Sequence, residues 1–162
     1  MRSEAYIVRR AQLRDAESLA RMLSQARRDD GVEQWELDLE QLRLHAFSAP
    51  AKFDAWIALA NEAPIGCAAA HRGFDMRLAR PTLVLSALFV EDGQRGAGLA
   101  RRLLSAAAGR ALEIGAREVT ITAGIGNAAA RGFLLSIGAQ EQQTAAYLLG
   151  FDHLEWLAKE SQ

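Results

Sequence analysis

The sequence predicts a mixed α/β fold, one mixed β-sheet with helices on both sides, in the order β-α-α-β-β-β-α-β-α-β. Three observations carry this expectation. Thr82 to Val90 is a nearly continuous apolar run, the pattern of a strand covered on both faces. Leu99, Leu103, Ala107 and Ala111 recur at helical spacing with Leu104, Ala108 and Leu112 beside them, which gives a helix a broad apolar face. Between these two segments, Glu91-Asp92-Gly93-Gln94-Arg95-Gly96-Ala97-Gly98 forms a glycine-rich turn that leads directly from one into the other.

The remaining elements follow in chain order. Tyr6 to Arg10 reads as a short strand. Asp15 caps a helix running to about Arg28, with Leu19, Met22, Leu23 and Ala26 on one face, and Asp29-Asp30-Gly31 stops it. Gln34 to Phe47 reads as a second helix, with Leu37, Leu42, Leu44 and Phe47 available for burial and Pro50 beyond its end. Ala55 to Ala60 is a strand, Asn61-Glu62-Ala63-Pro64 a turn, and Ile65 to His71 the hairpin partner. Gly115 stops the helix that starts at Leu99, and Glu118 to Thr122 is the next strand. Ala128 to Ile137 is a helix capped by Asn127 and ended by Gly138. Ala145 to Leu149 reads as a last strand, and Phe151 to Ala158 as a terminal segment, helical in part.

At 162 residues the chain is expected to form one domain, 1–162, with enough length for a full core. The net charge is −1 and the arginines are scattered, so nothing points to nucleic acid or a membrane surface. Cys67 is the only cysteine, which excludes an intramolecular disulfide. Neither the charged N-terminal stretch nor any apolar run suits a signal peptide or a membrane span, so a cytoplasmic location is expected.

The glycine-rich turn carries the chemistry. Glycine lets a ligand approach the backbone, and the first N–H groups of a helix are unpaired and lie at the positive end of its dipole. Such a turn suits a phosphate or pyrophosphate. It is no Walker-type loop, which needs Gly-Lys-Ser/Thr at its end, and the chain's two lysines are Lys52 and Lys159. A dinucleotide fingerprint needs a third glycine where this chain has Arg101, and no βαβ unit clearly precedes the turn, although Glu118 stands about twenty residues on.

Arg95-Gly96-Ala97-Gly98-Leu99-Ala100 resembles motif A of the GCN5-related N-acetyltransferase (GNAT) superfamily, Arg/Gln-x-x-Gly-x-Gly/Ala. Asn127, Ala130, Phe133 and Gly138-Ala139 resemble the family's next signature, and Ile7 to Ala11 with Asp15-Ala16 its first strand and helix. The resemblance implies a GNAT-like acyl-CoA N-acyltransferase fold and acetyl-CoA as cosubstrate. It implies that the backbone of Leu88, Phe89 and Val90 pairs with the pantetheine arm. Arg95, Gly96, Ala97, Gly98, Leu99, Ala100 and Arg101 would hold the pyrophosphate, and a backbone N–H of the fourth strand, at Val90, would face the thioester oxygen. Asn127 would contact the arm, a role compatible with capping its own helix.

The catalytic residues stand apart from the pattern. Many family members carry a tyrosine acid where this chain has Leu134, which leaves Tyr6 and Tyr147; Tyr147 is the candidate acid, with a strand tyrosine as its plainer role. Glu91 is the best-placed carboxylate for a base, with a solvated loop acid as the alternative. His71 is a further candidate for the base, with a strand-end histidine of structural role as its plainer reading. His45 and His153 have no partners at metal-ligand spacing, and Cys67 reads as a buried strand residue, so no metal is expected.

Within the superfamily the chain is most similar to the diamine acetyltransferase-like branch, through Phe53 to Gly66, Leu85 to Val90, and Leu148-Leu149-Gly150 with Leu154 and Leu157-Ala158. That branch has Glu-Asp where this chain has Ser86-Ala87, which argues against a polyamine acceptor. Asp29, Asp30, Glu33, Glu36, Asp38 and Glu40 either attract a cationic amine or form a solvated helix face. The expectation is an acetyl-CoA-dependent transferase acting on a small primary amine or amino-acid-like acceptor. The alternative is a catalytically degenerate coenzyme-A-binding regulatory module. A homodimer paired through the C-terminal strands is a further family-based expectation.

Overall fold

The structure, a computed structural model, describes residues 6–33 and 37–160. Its contacts divide the chain into two units, Met1–Arg131 and Gly132–Gln162.

The first unit is built on a five-stranded sheet in the order β1-β2-β3-β4-β5. The strands are β1 (Tyr6–Arg10), β2 (Asp54–Ala60), β3 (Ala63–Asp75), β4 (Arg80–Val90) and β5 (Val119–Ile121). The first four pair antiparallel, whereas β5 runs parallel to β4. A parallel neighbour needs a crossover, and α3 (Leu99–Glu113) supplies it. The other helices are α1 (Ala16–Asp29), α2 (Leu39–Phe47) and α4 (Ala128–Ser136).

Strand alternation splits the core into two layers. Trp56, Ala58, Ala68, Ala70, Leu83, Leu85 and Val90 pack with Leu99, Leu103, Ala107 and Ala111 of α3. Ala55, Ile57, Leu59, Cys67, Ala69 and Phe89 pack with Leu19, Met22, Leu23 and Ala26 of α1 and Leu42 of α2. The mixed sheet with helices on both sides is therefore present, and β4 contributes to both layers as its apolar run requires.

Several boundaries differ from expectation for local reasons. Asp15 is not the side-chain cap of α1. Its carboxylate accepts the Gln12 N–H at 2.7 Å and both guanidinium nitrogens of Arg9, at 2.6 and 3.0 Å, and so closes a short 3-10 turn before the helix. The second helix starts at Leu39 rather than Gln34, because Asp38 caps it by accepting the N–H groups of Glu40 and Gln41; Gln34–Glu36 lie outside the described residues. The first hairpin turns on Asn61 and Glu62 alone, both at positive φ (45° and 71°), so Ala63 and Pro64 belong to β3. Pro64 is accommodated beside a bulge in the β2–β3 register, where a missing N–H is tolerated. At Gly66 a Cβ would lie 2.8 Å from the Phe89 carbonyl oxygen, so glycine lets β3 close on the end of β4.

In the second unit, the end of α4 is closed by Gly138 at φ 95° and by the Ala139 N–H on the Leu134 carbonyl oxygen. The strand expected at Ala145–Leu149 is not formed, since residues 139–150 hold no regular element. That segment lacks the long apolar alternation that would oblige it to pair. The unit ends in α5 (Phe151–Glu160), whose first turn is closed by the Gly150 carbonyl oxygen accepting the His153 and Leu154 N–H groups. Among the described residues no helix is long and apolar enough to cross a membrane.

Candidate active site

The site begins at an irregularity in β4. Opposite β3, Ala87 pairs with Ala69 but Leu85 pairs with Ala70, which leaves Ser86 as an extra, bulged residue. The bulge reverses the alternation. Leu83 and Leu85 face α3, and beyond the bulge it is Val90, with Leu88 beside it, that faces α3, while Phe89 faces α1. The same bulge decides where the backbone points. The Glu91 N–H donates to the Ile65 carbonyl at 2.9 Å, so Phe89 and Ala87 are the other β4 residues directed at β3. The N–H and C=O groups of Leu88 and Val90 are directed to the opposite edge.

That edge is not covered by β5. The two strands pair only through Leu83–Leu85 and Val119–Ile121, with a last long bond from the Thr122 N–H to the Leu85 carbonyl at 3.4 Å. Beyond it they separate, leaving a cleft with the Leu88 and Val90 backbone on one wall and the β5–α4 loop on the other. An exposed strand edge of this kind pairs with an extended, amide-bearing chain.

The glycine-rich turn stands at the mouth of the cleft. Gly96 and Gly98 take positive φ values of 87° and 74°, and Gly98 is the N-terminal cap of α3. No atom lies within 4 Å of where a Cβ would stand at either glycine, so the backbone faces open space. The first helical bond is from the Arg102 N–H to the Gly98 carbonyl at 3.1 Å, so Leu99, Ala100 and Arg101 have no helical acceptor. Leu99, 1 % exposed, anchors the helix beneath this turn. The arrangement has the free donors and the room that a pyrophosphate requires.

The side chain of Arg95 braces the turn. Its Nε donates to the Val90 carbonyl at 3.2 Å, and its guanidinium pairs with Asp92 at 2.9 Å and with Asp29 at 3.4 Å. Tyr6 adds a bond from its hydroxyl to Gln94 Oε1 at 3.1 Å. The Val90 carbonyl is thus engaged, while its N–H faces the cleft.

On the far wall, Asn127 has two partners. Its Oδ1 accepts the Ala130 N–H at 3.1 Å, a helix cap, and its Nδ2 donates to Asp30 Oδ1 at 2.9 Å. The expected cap is present, and one amide N–H of Asn127 is left beyond these bonds. Asp30, one of the acids read in the sequence as either attracting a cationic amine or forming a solvated helix face, is engaged on this wall.

The acid–base candidates are dispersed. Glu91 forms an ion pair with Arg21 at 3.0 Å at the end of β4. His71 lies on the α1 side of β3, with Nδ1 3.4 Å from the hydroxyl of the bulged Ser86. Tyr147, expected in a terminal strand, stands in the irregular segment of the second unit. Leu134 is in α4 and has no proton to give. Cys67 is buried, and burial pushes its thiol up to about 12 against a small opposing pull from Arg21, so it supplies no nucleophile. Among the described residues no cluster of three or more His, Cys, Asp or Glu could hold a metal ion.

The sequence profile described as the Acetyltransferase (GNAT) family matches residues 19–139, most of the chain and all of the cleft described above. The chain belongs to the GNAT acetyltransferase family. It is an N-acetyltransferase of that family, whose acetyl donor is acetyl-CoA. No curated protein sequence matches it. Solved structures share the fold. The aminoglycoside N-acetyltransferase AAC(6')-Iy in complex with CoA superposes with a TM-score of 0.76 at 19% identity, covering 93% of this chain and 97% of that one. A predicted acetyltransferase from Clostridium acetobutylicum with acetyl-CoA gives 0.73 at 19% identity, covering 92% and 99%. The ribosomal-protein-alanine N-acetyltransferase of Brucella melitensis gives 0.70 at 18% identity, covering 91% and 100%.

Proposed function

We propose that this GNAT protein transfers the acetyl group of acetyl-CoA directly to a small primary amine or amino-acid-like acceptor, and that the cleft between β4 and β5 is where it does so. The observation that carries the reading is the continuity of two features: the uncovered edge of Leu88 and Val90, and the glycine turn at its mouth. An extended amide arm ending in a pyrophosphate fits that pair of features. Leu88 and Val90 bind the arm through their backbone, with Phe89 holding the strand in the core. The N–H groups from Gly96 and Ala97 through Gly98, Leu99, Ala100 and Arg101 take the pyrophosphate, with Arg95 bracing the turn. Asn127 offers its remaining N–H from the far wall.

Acetyl-CoA, when bound, supplies an activated acetyl thioester. The acceptor nitrogen forms the new bond to the acetyl carbon as the carbon–sulfur bond breaks. The amine must lose a proton and the thiolate must gain one. Glu91, at the end of β4, is the carboxylate we assign to the amine. With Leu134 in place of a tyrosine, the thiolate takes its proton from water. The Val90 N–H stabilises the thioester oxygen. Holding the two reactants together supplies much of the rate without further groups.

The small-amine acceptor is supported by relatives of this fold that act on aminoglycosides, while another acts on a ribosomal protein. Ser86 and Ala87 put no carboxylate beside the cleft, which sets this chain apart from the diamine acetyltransferase-like pattern. Leu134 favours one second reading, a coenzyme-A-binding module without catalysis. Thiol release from acetyl-CoA, measured with small amines, amino acids, aminoglycosides, peptide N-termini and a lysine-rich protein, separates these readings. Turnover on one of the small amines is expected. Turnover confined to protein N-termini or lysine side chains contradicts the proposal, and binding without turnover on any amine favours the second reading.

A further inference from the structure

The C-terminal end of α1 reaches both walls of the cleft. On one side Asp29 pairs with Arg95 at 3.4 Å, and Arg95 in turn holds the Val90 carbonyl at the end of β4. On the other side a single oxygen of Asp30, Oδ1, accepts the Gly124 N–H at 2.8 Å and the Asn127 Nδ2 at 2.9 Å. Gly124 lies so close beneath Asp30 that a Cβ there would overlap the Asp30 backbone.

These contacts are not needed to end the helix. Its last turn is already closed by the Asp30 N–H on the Ala26 carbonyl at 3.1 Å and the Gly31 N–H on the Arg28 carbonyl at 2.9 Å. Two carboxylates at a helix C-terminus also oppose the dipole. A local rule is broken here where the fold gains a contact across the cleft. The sheet cannot set that distance, because β4 and β5 stop pairing at Leu85 and Ile121.

We infer that Asp30 is a positioning residue of the coenzyme cleft. Together with Asp29 it makes a clasp from the end of α1, which holds the β5–α4 loop opposite Leu88–Val90 and sets the width open to a pantetheine arm. Its bond to Asn127 also fixes that amide, so the one N–H left over has a defined direction. The inference rests on the acetyl-CoA reading of the cleft.

The test compares wild type with Asp30→Ala, Asp30→Asn and Gly124→Ala, titrating coenzyme A and ADP by calorimetry. ADP carries the pyrophosphate but no pantetheine arm. Asp30→Ala is expected to weaken coenzyme A about tenfold, the worth of one or two hydrogen bonds, and to leave ADP unchanged. Asp30→Asn keeps an acceptor oxygen and restores most of the affinity. Gly124→Ala pushes the loop off Asp30 and matches Asp30→Ala. Faster hydrogen exchange at the Gly124 amide of ligand-free Asp30→Ala shows that the clasp has opened. Unchanged coenzyme A affinity in both Asp30→Ala and Gly124→Ala overturns the inference, and so does an equal loss of both ligands, which marks a merely structural role. A wild type that binds no coenzyme A overturns the proposed function itself, an outcome distinct from the other two.

Discussion

Asp15 shows how one side chain organises the entry to the fold. It is 6 % exposed, yet it carries a charge that three donors share: two from Arg9 and one from the Gln12 backbone. The Arg9 hydrogen bonds hold its carboxyl below the usual carboxylate range, burial opposes them, and the Gln12 N–H and the charges of Arg9 and Arg14 add to the lowering. A depressed folded pKa means that this stabilisation is complete above the unfolded value, about 3.9, and is lost as pH falls through the folded value. We therefore expect wild type to lose stability below about pH 4 more steeply than Asp15→Asn, in urea denaturation followed across that range. At neutral pH, Asp15→Ala should cost about 2 kcal/mol, because Arg9 and the Gln12 N–H lose their acceptor. Parallel acid profiles for wild type and Asp15→Asn would contradict this.

At the scale of elements, the first hairpin stores a testable strain. Glu62 sits at φ 71° in a two-residue turn whose second position favours glycine. Glu62→Gly should raise the stability by about 1 kcal/mol or less, because relief of the left-handed strain exceeds the added chain entropy of glycine. An unchanged or lower thermal midpoint would show that the turn is unstrained. The elements most legible in the sequence were those whose burial leaves a periodic trace. β4 and α3 carry long apolar patterns because each packs against a complete layer, and both were found within two residues of their expected ends. The bulge at Ser86 leaves no such trace, since its cause is the register against β3, which no local pattern encodes. Asp38 as the cap of α2 was hidden among neighbouring acids. The expected strand at Ala145–Leu149 rested on five residues and a family likeness, and so short a run commits the backbone to nothing by itself.

Within the first unit as a whole, the sheet divides the tasks between its faces. α3 lies on one face and presents its first N–H groups at the glycine turn. α1 and α2 lie on the other, and the end of α1 holds both walls of the cleft. The glycine turn of the candidate site was legible because glycines, and a strand running into a helix, leave their mark in adjacent residues. The clasp across the cleft was not, because Asp30, Gly124 and Asn127 meet only through the fold. Asp30 was visible as an acid at the end of α1, but its partners lie more than ninety residues away. The central claim is that acetyl-CoA occupies the cleft with its pyrophosphate on the glycine turn. Gly98→Glu adds bulk and negative charge where a Cβ meets nothing else, and the backbone strain it brings at φ 74° is checked by the folding control. The most direct measurement is calorimetric titration of wild type and Gly98→Glu with acetyl-CoA, with NAD and ATP as controls and circular dichroism to show that the variant is folded. Selective, roughly micromolar binding of acetyl-CoA to wild type, and none to folded Gly98→Glu, is the expected result. Equal binding by the two proteins, or none by wild type, would contradict it.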